Sequence, residues 1–265
     1  MSAATYPVVQ PKFGDPRPPP FIIQAEPVEG PVVPAEPPAP EEEMPAVRPS
    51  MFDLVLRRPR LLDRVLRDEA MLPKAIQEMV SLSVAGLAVY GLVLGASAQL
   101  VRGQHPLFGF FAGSLPAVWT PVSFVLAFLG AICICLPSFY FFTQLSGLDA
   151  SFRMVTAQAL RGIATTGVLL LGAAPFYAAW VLGNVVGVFE DVQTTLWVGL
   201  VVPFLVGLVG VASVDRGFRS MLDVLPVTHP RRGNYVRRMV LAWGALFTAI
   251  APVALYRLGE FFSRT

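Results

Sequence analysis

Apolar residues gather in five long blocks, at 79–101, 118–145, 154–183, 194–214 and 239–258, with charged or glycine-rich stretches between them. Each block reaches or approaches the roughly 20 residues that a helix needs to cross a bilayer. A buried helix of a large soluble protein is the other source of such a block. Five in succession within 265 residues leave no amphipathic shell to cover them. The pattern therefore predicts an all-α integral membrane protein, a five-span helical bundle occupying residues 78–261. Composition agrees: 54% of residues are apolar and 14% charged, where ordinary soluble domains carry about 25% charged residues. The first residues, MSAATYPVVQPKFG, lack the apolar core of a cleavable signal, so the first block is expected to act as an uncleaved anchor.

Within the second block lies ICICLPSFYFF, residues 132–142. Two cysteines two positions apart on a helix point about 200° away from each other. Cys133 and Cys135 therefore neither bridge nor chelate together, and they are read as small packing residues. His105 and His229, the two histidines, fall in different loops, so no metal site and no cofactor are expected. Pro137 removes a helix hydrogen bond and is expected to kink the span. Pro175, Pro203 and Pro252 do the same in the third, fourth and fifth blocks. Such prolines suit either a bundle of kinked helices or broken helices around a substrate. The aromatics at 139–142 belong where an interfacial belt sits.

Charge sets the expected orientation. Arg57, Arg58, Arg60, Arg64, Arg67 and Lys74 precede the first block; Arg153 and Arg161 belong to the side between the second and third; Arg216, Arg219, Arg231, Arg232, Arg237 and Arg238 lie between the fourth and fifth. The other side holds Arg102, Arg257 and Arg264, a split of fourteen to three. Basic residues mark the cytoplasmic side, which places the N-terminus in the cytoplasm, the C-terminus outside and the protein in the cytoplasmic (inner) membrane. The loop at 101–119 is expected either in the headgroup zone or as a re-entrant turn.

Residues 1–50 contain fourteen prolines and read as a disordered cytoplasmic tail of polyproline II character, suited to an aromatic-lined groove on a cytosolic partner. Residues 51–77 read as an amphipathic interfacial segment. Pro59 fits a first helical turn, and Leu61, Leu62, Val65 and Leu66 oppose Arg60, Arg64 and Arg67. Such a helix lies flat on the cytoplasmic leaflet, its arginines on anionic headgroups, or simply anchors the tail. Arg231, Arg232, Arg237 and Arg238 are candidates for lipid headgroups too, or serve to fix topology. Gly91 and Gly95 form a GxxxG pair for close helix packing, within the bundle or between copies of the chain in a homo-oligomer.

No catalytic motif stands out. The middle of each block lacks ionisable groups, whereas ion-coupled transporters generally carry them there. Arg161, near the end of its block, is expected to snorkel to water. Nothing in the pattern points to nucleic acid.

The segments VYGLVLG (89–95), AVWTPVSFVLAF (117–128) and CLPSFYFFTQLSG (135–147) follow one another in a pattern that resembles uncharacterised bacterial multi-span proteins described as Yip-like. The resemblance covers residues 51–180. It implies five spans, a disordered cytoplasmic N-terminus and a short C-terminus on the far side. In eukaryotes members of the wider family engage small GTPases and shape transport membranes. The function expected is that of a non-enzymatic membrane scaffold or accessory subunit that meets lipid and a cytosolic partner. The alternative is a transporter or permease component built on the proline-bearing helices.

Overall fold

A computed structural model describes residues 49–100, 116–148, 150–188, 192–222 and 230–264, all within one compact unit, Pro45–Thr265. The proline-rich tail and the 101–115 loop lie outside the described residues. Among the described residues seven helices follow in order: α1 (Met51–Leu56), α2 (Pro59–Arg67), α3 (Leu72–Leu100), α4 (Pro116–Leu145), α5 (Phe152–Val185), α6 (Val192–Leu222) and α7 (Pro230–Arg264). The described residues contain no strand. The last five helices are long and apolar enough to cross a membrane, and the chain is a multi-pass integral membrane protein.

Short polar signals place the helix ends. Ser50 Oγ accepts from Asp53 N at 3.3 Å, and Ser151 Oγ accepts from Met154 N at the same distance, each satisfying an otherwise unpaired first-turn donor. Pro59 opens α2. Gly147, just past α4, sits at φ +71°, the left-handed conformation that commonly follows a helix C-terminus.

The helices outrun the apolar blocks. The first begins at Leu72 instead of residue 79, the fourth continues past residue 214 to Leu222, and the fifth starts at Pro230 instead of 239. Charge ends a hydrophobic block, but it does not end a helix, because Lys, Arg and Glu are good helix formers. The expected single segment at 51–77 is instead two short helices broken at Arg57–Arg58, a turn, and the beginning of α3. In that turn Asp68 Oδ1 accepts from Ala70 N at 3.0 Å.

The five long helices close a ring in the order α3, α5, α6, α7, α4, with α4 returning to α3. Glycines let the backbones meet. A Cβ on Gly86 of α3 would strike the carbonyl oxygen of Gly167 on α5, and one on Gly210 of α6 would lie 2.5 Å from the oxygen of Gly162 on α5. With hydrocarbon as solvent, this close backbone approach supplies the packing energy that the hydrophobic effect supplies in water. Aromatic rings fill much of the interior. Phe128 meets Phe124, Phe204 and Phe247, while Phe139 stacks on Trp243 with centroids 4.7 Å apart and meets Phe218 edge-on.

Aromatic and charged residues lie about one bilayer thickness apart along four of the spans. Trp119 to Tyr140 on α4, Trp180 to Arg161 on α5, Trp197 to Asp215 on α6 and Tyr235 to Tyr256 on α7 each cover about 27–32 Å at 1.5 Å per residue. That matches a hydrocarbon core of about 30 Å bounded by interfacial aromatics and charges. Arg161 and Asp215 lie toward one end of the bundle, called here the basic end. Trp180 and Trp197 lie toward the other.

Candidate functional site: a buried arginine beneath the N-terminal helices

At the basic end every residue from Ala157 to Val168 of α5 is buried. Helix α3 covers one side through Gly86 and Gly167, and α6 covers another through Gly162 and Gly210. The α1–α2 pair covers the rest. Met51, Leu54 and Val55 of α1 and Leu61, Leu62 and Leu66 of α2 join Ala157, Leu160, Ala164 and Val168 of α5 and Leu72, Ala75 and Met79 of α3 in one apolar cluster. This corrects the expectation that the leucines of α2 lie in the leaflet. Leu66 is 0% exposed and Leu62 1%. α5 offers them a surface of small side chains that leaves no room for lipid.

The same docking removes Arg161 from water. Its side chain is 2% exposed, so it does not snorkel. Its guanidinium instead donates through Nη1 to Asp63 Oδ1 on α2. Among the described residues this is the one ion pair joining elements distant in sequence. The others are local: Arg57 and Arg58 with Asp53, Lys74 with Glu78, Arg219 with Asp215 and Arg257 with Glu260. Arg67 adds a second tie by donating to the carbonyl oxygen of Ser220 in the last turn of α6, where a cation also complements the helix dipole. Gly217 lies flat against this cluster. A Cβ there would run into Gln158 Oε1 and sit 2.8 Å from Arg161 Nη1. Thr165 Oγ1 donates to Ser213 Oγ at 3.2 Å, a further bond between α5 and α6.

A second polar group ties α3, α5 and α6 near the opposite boundary. Tyr90 donates to the carbonyl of Gly199 at 2.8 Å, Tyr177 donates to that of Thr195 at 3.3 Å, and Ser97 Oγ lies 3.2 Å from Tyr177 Oη. Thr195 Oγ1 accepts from Trp180 Nε1 at 3.0 Å and from Asn184 Nδ2 at 2.8 Å.

The residues singled out from the sequence separate rather than converge. Arg60 and Arg64 lie exposed on α2, whereas Arg67 is turned to Ser220. Arg237 and Arg238 are exposed on α7. The side chains of Arg231 and Arg232 lie outside the described residues. Gly91 is buried against α4 of its own chain, where a Cβ would come within 2.7 Å of Pro121 Cα. Gly95 is buried as well. Pro137 and Pro175 lie on the outer surface of the bundle, Pro252 is partly covered and Pro203 is buried. Cys133 is exposed and Cys135 buried. No group of three or more His, Cys, Asp or Glu side chains comes together among the described residues.

Asp63 and Gln158 do not stand out in the sequence pattern. A signal for Asp63 is nonetheless present: it is the one acidic residue among three arginines on a helix whose apolar side is leucine. Gln158 has none, since a glutamine in an apolar block reads as a boundary residue. No protein-family model matches the chain, and no curated protein or solved structure does either.

Proposed function

We propose that the chain is a non-enzymatic scaffold or accessory subunit of the cytoplasmic membrane, with its N-terminus in the cytoplasm and its C-terminus outside. Its basic end meets anionic headgroups, and its proline-rich tail meets a cytosolic partner. The observation that carries this reading is how the polar groups inside the bundle are used. Arg161, Asp63 and Arg67 fasten α2 to α5 and α6, and Tyr90, Tyr177, Ser97, Thr195 and Asn184 fasten α3, α5 and α6. Buried polar contacts of this kind, running from helix to helix, suit a fixed platform better than a reaction centre. The Yip-like order of VYGLVLG, AVWTPVSFVLAF and CLPSFYFFTQLSG supports the same architecture.

Purification of the intact protein beside a version beginning at Met51 tests the reading. The intact chain should bring down a protein that the shorter one loses, and identical sets of associated proteins would remove the tail as a recruiter. A permease component is the competing reading, and the outward positions of Pro137 and Pro175 weigh against a substrate path lined by all four prolines. Liposomes containing the protein should show no flux of ions or small solutes beyond that of empty ones.

A further inference from the structure

Docking α2 against α5 leaves a different pair of apolar side chains uncovered. On α1, Met51, Leu54 and Val55 are buried, but Phe52 is 45% and Leu56 41% exposed. Four positions apart, these two share one face of the helix. The turn that follows carries Arg57 and Arg58, which share the single carboxylate of Asp53 at 3.9 and 3.5 Å, so one positive charge is left over. Arg60, exposed on α2, has no acidic partner among the described residues. Asp63 on Arg161 holds the pair of helices at the basic end, and Arg161 lies about 28 Å along α5 from Trp180, close to the thickness of a hydrocarbon core. An apolar pair with surplus arginine, held at that level, has the chemistry of an anionic bilayer surface: acyl chains for Phe52 and Leu56, lipid phosphates for Arg57 and Arg60.

We infer that α1, not the leucine face of α2, is the membrane-reading surface of the N-terminal helices, and that it binds anionic phospholipid through Phe52, Leu56, Arg57 and Arg60. The inference rests on the proposed lipid contact of the basic end and assigns it to Phe52, Leu56 and Arg57, which the sequence pattern passed over, together with Arg60. Docked onto the spans, α1 is presented to the leaflet at a fixed depth. The ordering that a free amphipathic helix undergoes on binding is thereby already complete.

Backbone hydrogen exchange of the full-length chain in nanodiscs tests it, comparing phosphatidylcholine alone with a mixture containing phosphatidylglycerol. Exchange at residues 51–58 should slow in the anionic discs, while peptides from α5 stay unchanged. Each arginine near an anionic surface contributes about fivefold in binding, so the double variant Arg57→Gln/Arg60→Gln should lose most of that slowing. Phe52→Ser/Leu56→Ser should lose it too, with α2 still protected, which shows that the fold survives. Equal exchange in the two lipids overturns the inference, as does slowing reproduced by inorganic phosphate in phosphatidylcholine discs. Slowing that persists in both variants overturns the residue assignment. The tail is present throughout, so failure of tail-dependent recruitment leaves this result untouched.

Discussion

Among single residues, the Asp63–Arg161 pair has the largest consequence. Removing one partner of a buried pair leaves the other charge uncompensated, whereas replacing both by apolar residues of similar volume is often neutral. Asp63→Asn is therefore expected to destabilise the protein by about 3 kcal/mol, read as a lower unfolding midpoint in detergent. Asp63→Leu combined with Arg161→Met should recover most of the loss. If the double variant is as unstable as the single one, the pair is not what holds α2. Glycines give a contrast of the same kind. Gly86→Ala drives a methyl group into the backbone of Gly167 and should cost about 1–3 kcal/mol. Gly172→Ala meets nothing within 4 Å and should leave stability unchanged or raise it by up to about 1 kcal/mol, since alanine is the better helix former. Equal midpoints for the two would show that α3 and α5 do not cross at Gly86.

At the level of helices, α1 and α2 belong to the bundle rather than to the tail. Their apolar cluster with α3 and α5 predicts that limited proteolysis of the folded protein stops short of residue 51, and that the fragment beginning there keeps the thermal stability of the whole chain. Cleavage within Pro59–Arg67 under native conditions would contradict the docking. Near the opposite boundary, Tyr177→Phe removes the bonds to Ser97 and Thr195. Hydrogen bonds between membrane helices average about 0.6 kcal/mol, so a loss of about 1 kcal/mol is expected from the unfolding midpoint. The long helices themselves were legible, because a run of roughly twenty apolar residues is seldom stable anywhere but in a bilayer. The basic-side ends of α3, α6 and α7 were not. Past the last apolar residue, a helix in water or at an interface continues on propensity and packing, and neither shows in a hydropathy pattern.

For the molecule as a unit, the five-span ring and its basic end make a topological prediction. Reporter fusions at Ser151 and Asn234 should report the same side of the membrane, and a fusion after Leu100 the other. Opposite signals from the first two would break the alternation on which the order α3, α5, α6, α7, α4 depends. Orientation comes from arginines at many positions, so no single arginine substitution should invert it.

Solvent and span number were already set by the order of amino acids, because both follow from composition summed over twenty-residue windows, which no tertiary contact can reverse. The asymmetry of charge between the two ends was set in the same way. Which side chains meet lipid was left to the packed bundle. Leu61, Leu62 and Leu66 have the pattern of a membrane-facing surface, and Arg161 has that of a snorkelling cation. All four are buried because the small residues of α5 leave a groove that α2 fills and because Asp63 lies opposite the guanidinium. Amphipathicity states that one face of a helix must leave water. Whether protein or lipid receives it depends on the shape of a neighbour ninety or more positions away, which no local window contains.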